Sequence, residues 1–256
     1  MKMMHALIPA CAALFLVVFF ARPSAAVTTQ ASPASIDISL FYHGMPVEIS
    51  GKGNPGDDVI IQVTAAPAEM HLKYKGKAAG LFWMKLGTLI FEHLPGTYLA
   101  ATSGPVDKVL TPTAQDAEGA GFKALQKRAV IKAEEGKEMP AGDWFQEFID
   151  FKQQEKLYAF EEGGVKVEAD GSYHYTLNWP FQAPPGTYTV ETITARNGQV
   201  TDRSATQITV QMTGVVAKLE KMASDNRAVY GILAILVALA AGFGVGMIFK
   251  KGGGAH

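Results

Sequence analysis

Histidine and methionine are the residues of this chain whose types and spacing could do chemistry. His43 is followed two positions later by Met45, and Met70 stands directly before His71. Copper favours imidazole and thioether ligands, so these pairs make copper binding the chemistry to consider. A strand would place Met70 and His71 on opposite faces, and no His-x-His or Met-x-x-Met cluster follows residue 26. We therefore expect no metal and no other cofactor, and His43, Met45 and His71 stay as candidates for a copper site.

Motifs for enzymatic catalysis are missing from the sequence. There is no Gly-x-Ser-x-Gly elbow, His-Glu-x-x-His helix, P-loop or dinucleotide fingerprint. The acidic pairs at 57–58, 134–135 and 161–162 lie in polar stretches that are typical of solvated surface. The only cysteine is Cys11, so removal of the N-terminal apolar run would leave no thiol nucleophile and no disulfide. We expect a protein that is not an enzyme and has no catalytic residue.

A lysine stripe and the apolar run beside it could bind a partner. Lys73, Lys75 and Lys77 would project from one face of a strand. This stripe could bind anionic lipid headgroups or an acidic partner, or it could protect a sheet edge from pairing with other chains. The run over 80–84, which contains Trp83, is apolar without a break. Such a run fits a strand buried on both faces and equally a docking surface.

Short strands on both sides of a helical stretch would position these residues. Strand patterns separated by turn signals occur over 36–40, 47–50, 59–63, 70–75, 81–91 and 97–101, and again over 165–167, 173–177, 187–193 and 200–210. The Asp170-Gly171 and Asn197-Gly198 pairs are typical of hairpin turns. Regularly spaced short strands favour a mainly β fold, and we predict an immunoglobulin-like β-sandwich over residues 36–212.

A helical insertion is predicted within this sandwich, over about residues 105–160. One helix is indicated by apolar residues at helical spacing: Phe122, Leu125, Ala129 and Val130. A second is indicated by Trp144, Phe145, Phe148, Ile149 and Phe151. Asp143 is the expected N-cap of the second helix, and the stretch 136–142 separates the two.

The two ends of the chain predict export and a membrane anchor. Residues 1–26 combine a short basic start, an apolar run and a small-residue cleavage site, as in a signal peptide, although Arg22 near the cut leaves an uncleaved anchor open. A flexible lead-in is predicted at 27–35. Residues 228–249 carry no charge over a length that spans a bilayer, which predicts one transmembrane helix. A juxtamembrane helix at 213–227 precedes it, and a tail at 250–256 follows.

The export signal sets the expected orientation, because it commits the intervening domain to translocation. We expect an inner-membrane protein with one span, a periplasmic N-terminal domain and a cytoplasmic C-terminus. Within the span, Gly242 and Gly246 form a small-xxx-small pair that lets helices approach closely. Association of two copies through this pair is one interaction that it permits, although glycine is also common in membrane helices.

The first half of the domain also carries longer motifs. They are Phe41-Tyr42-His43-Gly44, Val47-Glu48-Ile49-Ser50-Gly51, Lys75-Gly76-Lys77, Gly80-Leu81-Phe82-Trp83-Met84, Phe91-Glu92-His93-Leu94-Pro95 and Tyr98-Leu99-Ala100-Ala101-Thr102-Ser103. With the signal, the exported domain, the C-terminal span and the short basic tail, the chain resembles a family of transmembrane proteins from alphaproteobacteria. The resemblance implies an inner-membrane anchor with a periplasmic domain and an accessory role beside a transporter. It implies no activity and no site residues.

These observations favour a membrane-tethered, non-enzymatic accessory subunit of another membrane protein. The formal net charge of −1 is unlike that of nucleic-acid-binding proteins, so no nucleic-acid partner is expected. The candidate interaction residues are Trp83, Lys73, Lys75, Lys77, Gly242 and Gly246. The alternative is a periplasmic copper-binding protein that uses His43, Met45 or His71. Convergence of those side chains in the folded protein would distinguish the two hypotheses.

Overall fold

A computed structural model describes residues 26–78, 81–134, 136, 138 and 141–250. Its strands are β1 (Thr28–Ser32), β2 (Ser35–Ile38), β3 (Met45–Lys52), β4 (Asp58–Ala65), β5 (Met70–Ala78), β6 (Phe82–Glu92), β7 (Tyr98–Thr102), β8 (Val130–Ala133), β9 (Tyr158–Glu161), β10 (Lys166–Val167), β11 (Ser172–Trp179), β12 (Gly186–Arg196) and β13 (Gln199–Met212). Its helices are α1 (Val106–Val109), α2 (Pro112–Glu118), α3 (Phe122–Arg128), α4 (Ala141–Gln154), α5 (Gly214–Asp225) and α6 (Arg227–Lys250). The fold is mainly β with a helical insertion. Residues 1–25 of the predicted signal peptide, Gly80 and the tail after Lys250 lie outside the described residues.

Two sheets share one hydrophobic core. The first has the order β1-β3-β11-β10, and the second has the order β2-β13-β12-β4-β7-β9. Alternate residues of both sheets bury their side chains in this core, because successive side chains of a strand point to opposite faces. Val47 and Ile49 come from the first sheet, and Val63 and Val190 from the second. Near one end of this core, the ring of Trp179 packs edge-on against Tyr188, with centroids 4.8 Å apart.

The helical insertion covers the outer face of the six-stranded sheet. Val109 and Leu110 at the end of α1 pack on Ile60 and Ile193, which point away from the sandwich core. Tyr98 connects the next two helices to the sheet: its hydroxyl donates to the Gly119 carbonyl at 3.0 Å and accepts from a backbone N–H at 2.8 Å. The protein therefore has three layers, with the six-stranded sheet in the middle.

Strands β5 and β6 form a long hairpin that belongs to neither sheet of the sandwich. Strand β6 also pairs with β8, which gives a separate three-stranded sheet of order β5-β6-β8. Helix α4 packs against the face of this hairpin through aromatic rings. The Tyr74 and Trp144 centroids are 5.0 Å apart, and those of Phe91 and Phe148 are 4.6 Å apart. The hairpin is thus supported over part of its length by α4.

Several local predictions differ from the structure, each for an identifiable reason. Residues 27–35 include β1, which pairs with β3, so they do not form the predicted flexible lead-in. Helix α3 ends at Arg128 and Val130 begins β8, because the β6 edge offers this segment a partner. Helix α4 begins at Ala141, which places Asp143 inside its first turn instead of at the N-cap.

Helix α6 is the predicted membrane span. Over Arg227–Met247 its mean hydropathy is 2.3, and none of that window is buried within the structure, so the helix is long and apolar enough to cross a membrane. The amphipathic helix α5 precedes it directly and leaves Val215 and Leu219 exposed. The strand β13 therefore leads through one short helix into the candidate membrane span.

Candidate functional site

One end of the sandwich is the end at which the chain leaves β13 for helices α5 and α6, and we name it the exit end. Strand β13 finishes there at Met212, which pairs with Ile38 at the end of β2. Strand β4 also ends there, because Ala65 pairs with Tyr188 near the start of β12. The Asn197-Gly198 hairpin lies at the opposite end. In the other sheet, Met45 and its partner Trp179 lie at the exit end, because β3 runs from there toward the loop that begins β4.

Outside the β5–β6 hairpin and helices α5 and α6, the large exposed apolar side chains of the described residues lie at the exit end. Leu40 and Phe41 follow β2 directly and are 67% and 81% exposed. Phe181 follows the end of β11 and is 54% exposed. Phe151, on α4, is also exposed and precedes Lys152, whose ammonium donates to the Gly96 carbonyl just before β7. Within the described residues, no large exposed apolar side chain lies at the opposite end.

The β5–β6 hairpin is rooted at the same end. The chain enters β5 after β4 and returns from β6 to β7, and the β4–β7 pairing brings Thr64 beside Tyr98. At the far end of the hairpin, Leu81 and Phe82 are both 74% exposed. Met84 and Leu86, further along β6, are also exposed. The hypothesis that the 80–84 run is a strand buried on both faces is therefore wrong, because Leu81, Phe82 and Met84 are all exposed.

Lysines line the same hairpin. Lys73 and Lys75 of β5 are exposed, and Lys85 on β6 lies directly across from Lys75. Lys77 lies opposite Trp83 in the strand register, and the structure does not describe the surroundings of these two side chains. The predicted stripe is thus on one strand of the separate hairpin, and Lys85 of the neighbouring strand, which was not predicted as a site residue, lies beside it.

A groove lies between the hairpin and α4, with a volume of about 790 Å³. It is lined by Leu72, Lys73, Tyr74, Lys75, Leu89, Phe91, Trp144, Glu147, Phe148 and Phe151. Most of these residues are apolar or aromatic, and the charged ones are Lys73, Lys75 and Glu147. An apolar and aromatic lining with a few charged side chains suits an amphipathic partner better than a small polar substrate.

A buried lysine holds α4 at the base of this groove. The Lys152 ammonium lies 5.7 Å from the Phe148 ring centroid and 5.8 Å from that of Tyr158, and it donates to the Gly96 carbonyl at 2.9 Å. Burial lowers the pKa of Lys152 and raises the pKa of Tyr158 above its usual value. The cation and the two rings fix the end of α4 to the exit end through cation–π contact.

The copper candidates lie on different elements. His43 lies in the loop before β3, where its Nδ1 is 2.7 Å from the Phe41 carbonyl oxygen. Met45 begins β3, and both residues line a shallow cavity at the exit end. His71 lies on β5 of the separate sheet, where its Nε2 is 3.8 Å from a Glu69 carboxylate oxygen. In the described part of the chain, no group of three His, Cys, Asp or Glu residues could hold a metal ion.

Gly242 and Gly246 lie in α6 on an open surface. A Cβ added to either residue would meet no atom within 4 Å. The pair is thus available to a neighbouring helix in the membrane, and association of two copies through it stays a prediction.

The chain matches a protein-family model over most of its length. Residues 26–251 match the model of a family described as "Putative transmembrane protein (Alph_Pro_TM)". No curated protein matches the chain. Among solved structures, it is similar to the crystal structure of VCBP3, domain 1, from Branchiostoma floridae, at 12% identity and a TM-score of 0.23, with 74% of this chain and 96% of that chain covered. The family match extends over most of the sequence and includes helix α6, so the chain belongs to the Alph_Pro_TM family.

Proposed function

We propose that this protein is a non-enzymatic accessory subunit that binds another integral membrane protein through its exit end. The single observation behind the proposal is the one-sided distribution of exposed apolar side chains. Leu40, Phe41 and Phe181 lie at the end from which the chain continues to its anchor. Large exposed apolar residues that are grouped on one surface are typical of interaction sites.

The position of this surface favours a membrane-embedded partner over a soluble one. Helix α5 has 12 residues, so it separates the exit end from the start of α6 by about 18 Å of helix at most. A partner held in the same membrane would meet the exit end without searching in three dimensions, which raises its effective concentration. Phe41 and Phe181 could then serve as the aromatic anchors of the interface.

The location of the complex is part of the proposal. We place α6 in the inner membrane, the β-rich domain in the periplasm and the C-terminus in the cytoplasm. The support is the signal-peptide pattern of residues 1–26 together with the apolar span. The accessory subunit would accordingly act on the periplasmic side of its partner, and a transporter is the class of partner that we favour.

The immunoglobulin-like arrangement of the sandwich is also a proposal, and strand order supports it. The strands β1, β3, β4, β7, β10, β11, β12 and β13 can take the roles A, B, C, C′, D, E, F and G. One sheet then has the order A-B-E-D, and the four inner strands of the other, between β2 and β9, have the order G-F-C-C′. Tyr188 near the start of β12 donates its hydroxyl to the Pro184 carbonyl at 2.7 Å, as in a tyrosine corner. The hairpin β5–β6 is then an insertion between the C and C′ strands.

The proposal is tested by purifying the C-terminally tagged chain from its native membrane in mild detergent. Mass spectrometry should find an integral membrane protein in stoichiometric amount. The Phe41→Ser, Phe181→Ser double variant should lose that protein, whereas Gln199→Ser, at the opposite end, should retain it. Absence of a stoichiometric membrane protein from the wild-type sample would refute the accessory role, and about one copper per chain in that sample would favour the metal-binding alternative.

A further inference from the structure

The tip of the β5–β6 hairpin carries a combination of residues that the accessory role does not explain. Residues 70–88 contain four lysines and no acidic residue, although the chain as a whole has a formal net charge of −1. Leu81, Phe82, Met84 and Leu86 are exposed in the same segment. A cationic segment with an apolar tip combines the two properties that bind a protein segment to the surface of an anionic bilayer.

The hairpin is long enough to reach such a surface. Nine residues of β5 extend about 30 Å at the usual rise of a strand. The twelve residues of α5 extend only about 18 Å. Both elements start from the exit end, so a hairpin that lies alongside α5 has the length to reach the plane in which α6 enters the membrane.

The support from α4 stops before the tip. Trp144, near the start of α4, packs on Tyr74 in the middle of β5. Beyond that point the structure places no other element over Phe82 or Met84, which are both exposed. A strand pair with a rigid aromatic base and an uncovered apolar end can insert its tip without disturbing the core, because the hydrophobic cluster at its base remains packed.

We propose that the tip of the β5–β6 hairpin inserts into the headgroup region of the bilayer that α6 spans, and that its lysines bind anionic phospholipid. Leu81 and Phe82 enter the interface between headgroups and acyl chains. Lys73, Lys75 and Lys85 contact phosphate groups. The hairpin then gives the exported domain a second contact with the membrane, which fixes its tilt as well as its distance from the bilayer. This lipid contact is independent of the protein partner proposed above.

A fluorescent probe at the tip tests this inference in the full chain. A Cys11→Ser, Phe82→Cys variant provides a single thiol for an environment-sensitive dye, and Cys11→Ser, Gln199→Cys provides the matched control at the opposite end. Each protein is reconstituted into phosphatidylcholine bilayers with and without phosphatidylglycerol, and nitroxide-labelled lipid serves as quencher. Thermal unfolding of each variant confirms that it has folded.

We expect strong quenching at position 82 in the anionic bilayer, weak quenching in phosphatidylcholine alone and none at position 199. Replacing Lys73, Lys75 and Lys85 by glutamine should reduce the ratio of inserted to free tip about fivefold for each lysine removed. A probe at position 82 that stays in water in both bilayers would refute the inference. Equal quenching with and without anionic lipid would refute the role of the lysines. A dye at position 82 that leaves the aqueous environment only when a membrane protein co-purifies would show that the tip contacts that protein instead of lipid. If quenching is found and no partner co-purifies, only the accessory role fails.

Discussion

The Tyr98 hydroxyl provides a sharp test of how the helical insertion is attached to the sheet. This buried hydroxyl donates to the Gly119 carbonyl at 3.0 Å and accepts from the Gly121 N–H at 2.8 Å. Burial raises the pKa of Tyr98 to about 12, so the group stays protonated and can donate at any ordinary pH. Tyr98→Phe keeps the ring packing on Phe122 and Tyr158 and removes only the two hydrogen bonds.

The expected loss can be estimated from the groups left unpaired. One backbone carbonyl and one backbone N–H would lose a buried partner, and we expect the free energy of unfolding to fall by about 2 kcal/mol. For a domain of this size, such a loss lowers the Tm by about 4–8 °C. The assay is thermal unfolding of the detergent-solubilised full chain, followed by circular dichroism in the β-sheet region.

Tyr42→Phe is the matched control. The Tyr42 hydroxyl is also buried, and among the described residues it has no hydrogen-bond partner. Tyr42→Phe removes a buried polar group that makes no hydrogen bond, so the Tm should stay the same or rise. Equal losses of stability in Tyr98→Phe and Tyr42→Phe would refute the reasoning, because the structure assigns hydrogen bonds to only one of the two hydroxyls.

Three further substitutions test the end of the sandwich opposite the exit end. Gly198→Ala should lower the free energy of unfolding in urea by about 1–2 kcal/mol, because the φ of Gly198 is +78° and a Cβ there would lie 2.9 Å from Thr111. An unchanged urea midpoint would contradict this prediction. Arg196→Gln should lower the free energy of unfolding by about 2 kcal/mol, because Arg196 Nε lies 2.6 Å from the carboxylate of Asp57, whose side chain is only 2% exposed. A variant as stable as the wild type would show that this ion pair does not stabilise the fold. The pKa of Asp170 is lowered to about 2, chiefly by a hydrogen bond from the backbone N–H of Ser172. Ionised Asp170 therefore stabilises the folded protein above about pH 4, and this stabilisation is lost as the pH falls toward 2. Asp170→Asn should therefore have a lower Tm than wild type at neutral pH and an equal one near pH 2, and a pH-independent difference would contradict the assignment.

Features encoded by local sequence were predicted well. The Asn197-Gly198 pair forms a hairpin in which both residues have positive φ, at 52° and 78°, as the turn chemistry of these residue types predicts. The long apolar run is a helix of spanning length. The Asp170-Gly171 pair likewise joins β10 to β11. Each of these signals depends on neighbouring residues alone.

Features that depend on distant pairing were not predictable in the same way. Strand β1 is rich in threonine and serine, and it is the edge strand of its sheet only because it pairs with the distant strand β3. Strand β8 has four residues and lies in a stretch with helical spacing, so its pairing with β6 overrides the local pattern. The separate sheet β5-β6-β8 could not be recognised without knowing that β4 and β7 are neighbours.

The candidate site was predicted only in part for the same reason. The lysines and the apolar run were recognised from residue types, but whether the run is buried depends on where its strands pair. Leu40 follows the alternation of a buried strand and is nevertheless exposed, because β2 ends at Ile38. The exit end itself is defined by sheet order, and no spacing in the sequence brings Phe41 and Phe181 to one surface.

Site-specific photocrosslinking in living cells is the most direct test of the exit end as the partner surface. A photoreactive phenylalanine analogue is placed at position 41 in one variant and at position 199 in another. The account predicts a crosslink to one integral membrane protein from position 41 and none from position 199. A crosslink to that protein from position 199 alone, or from neither position, would contradict it.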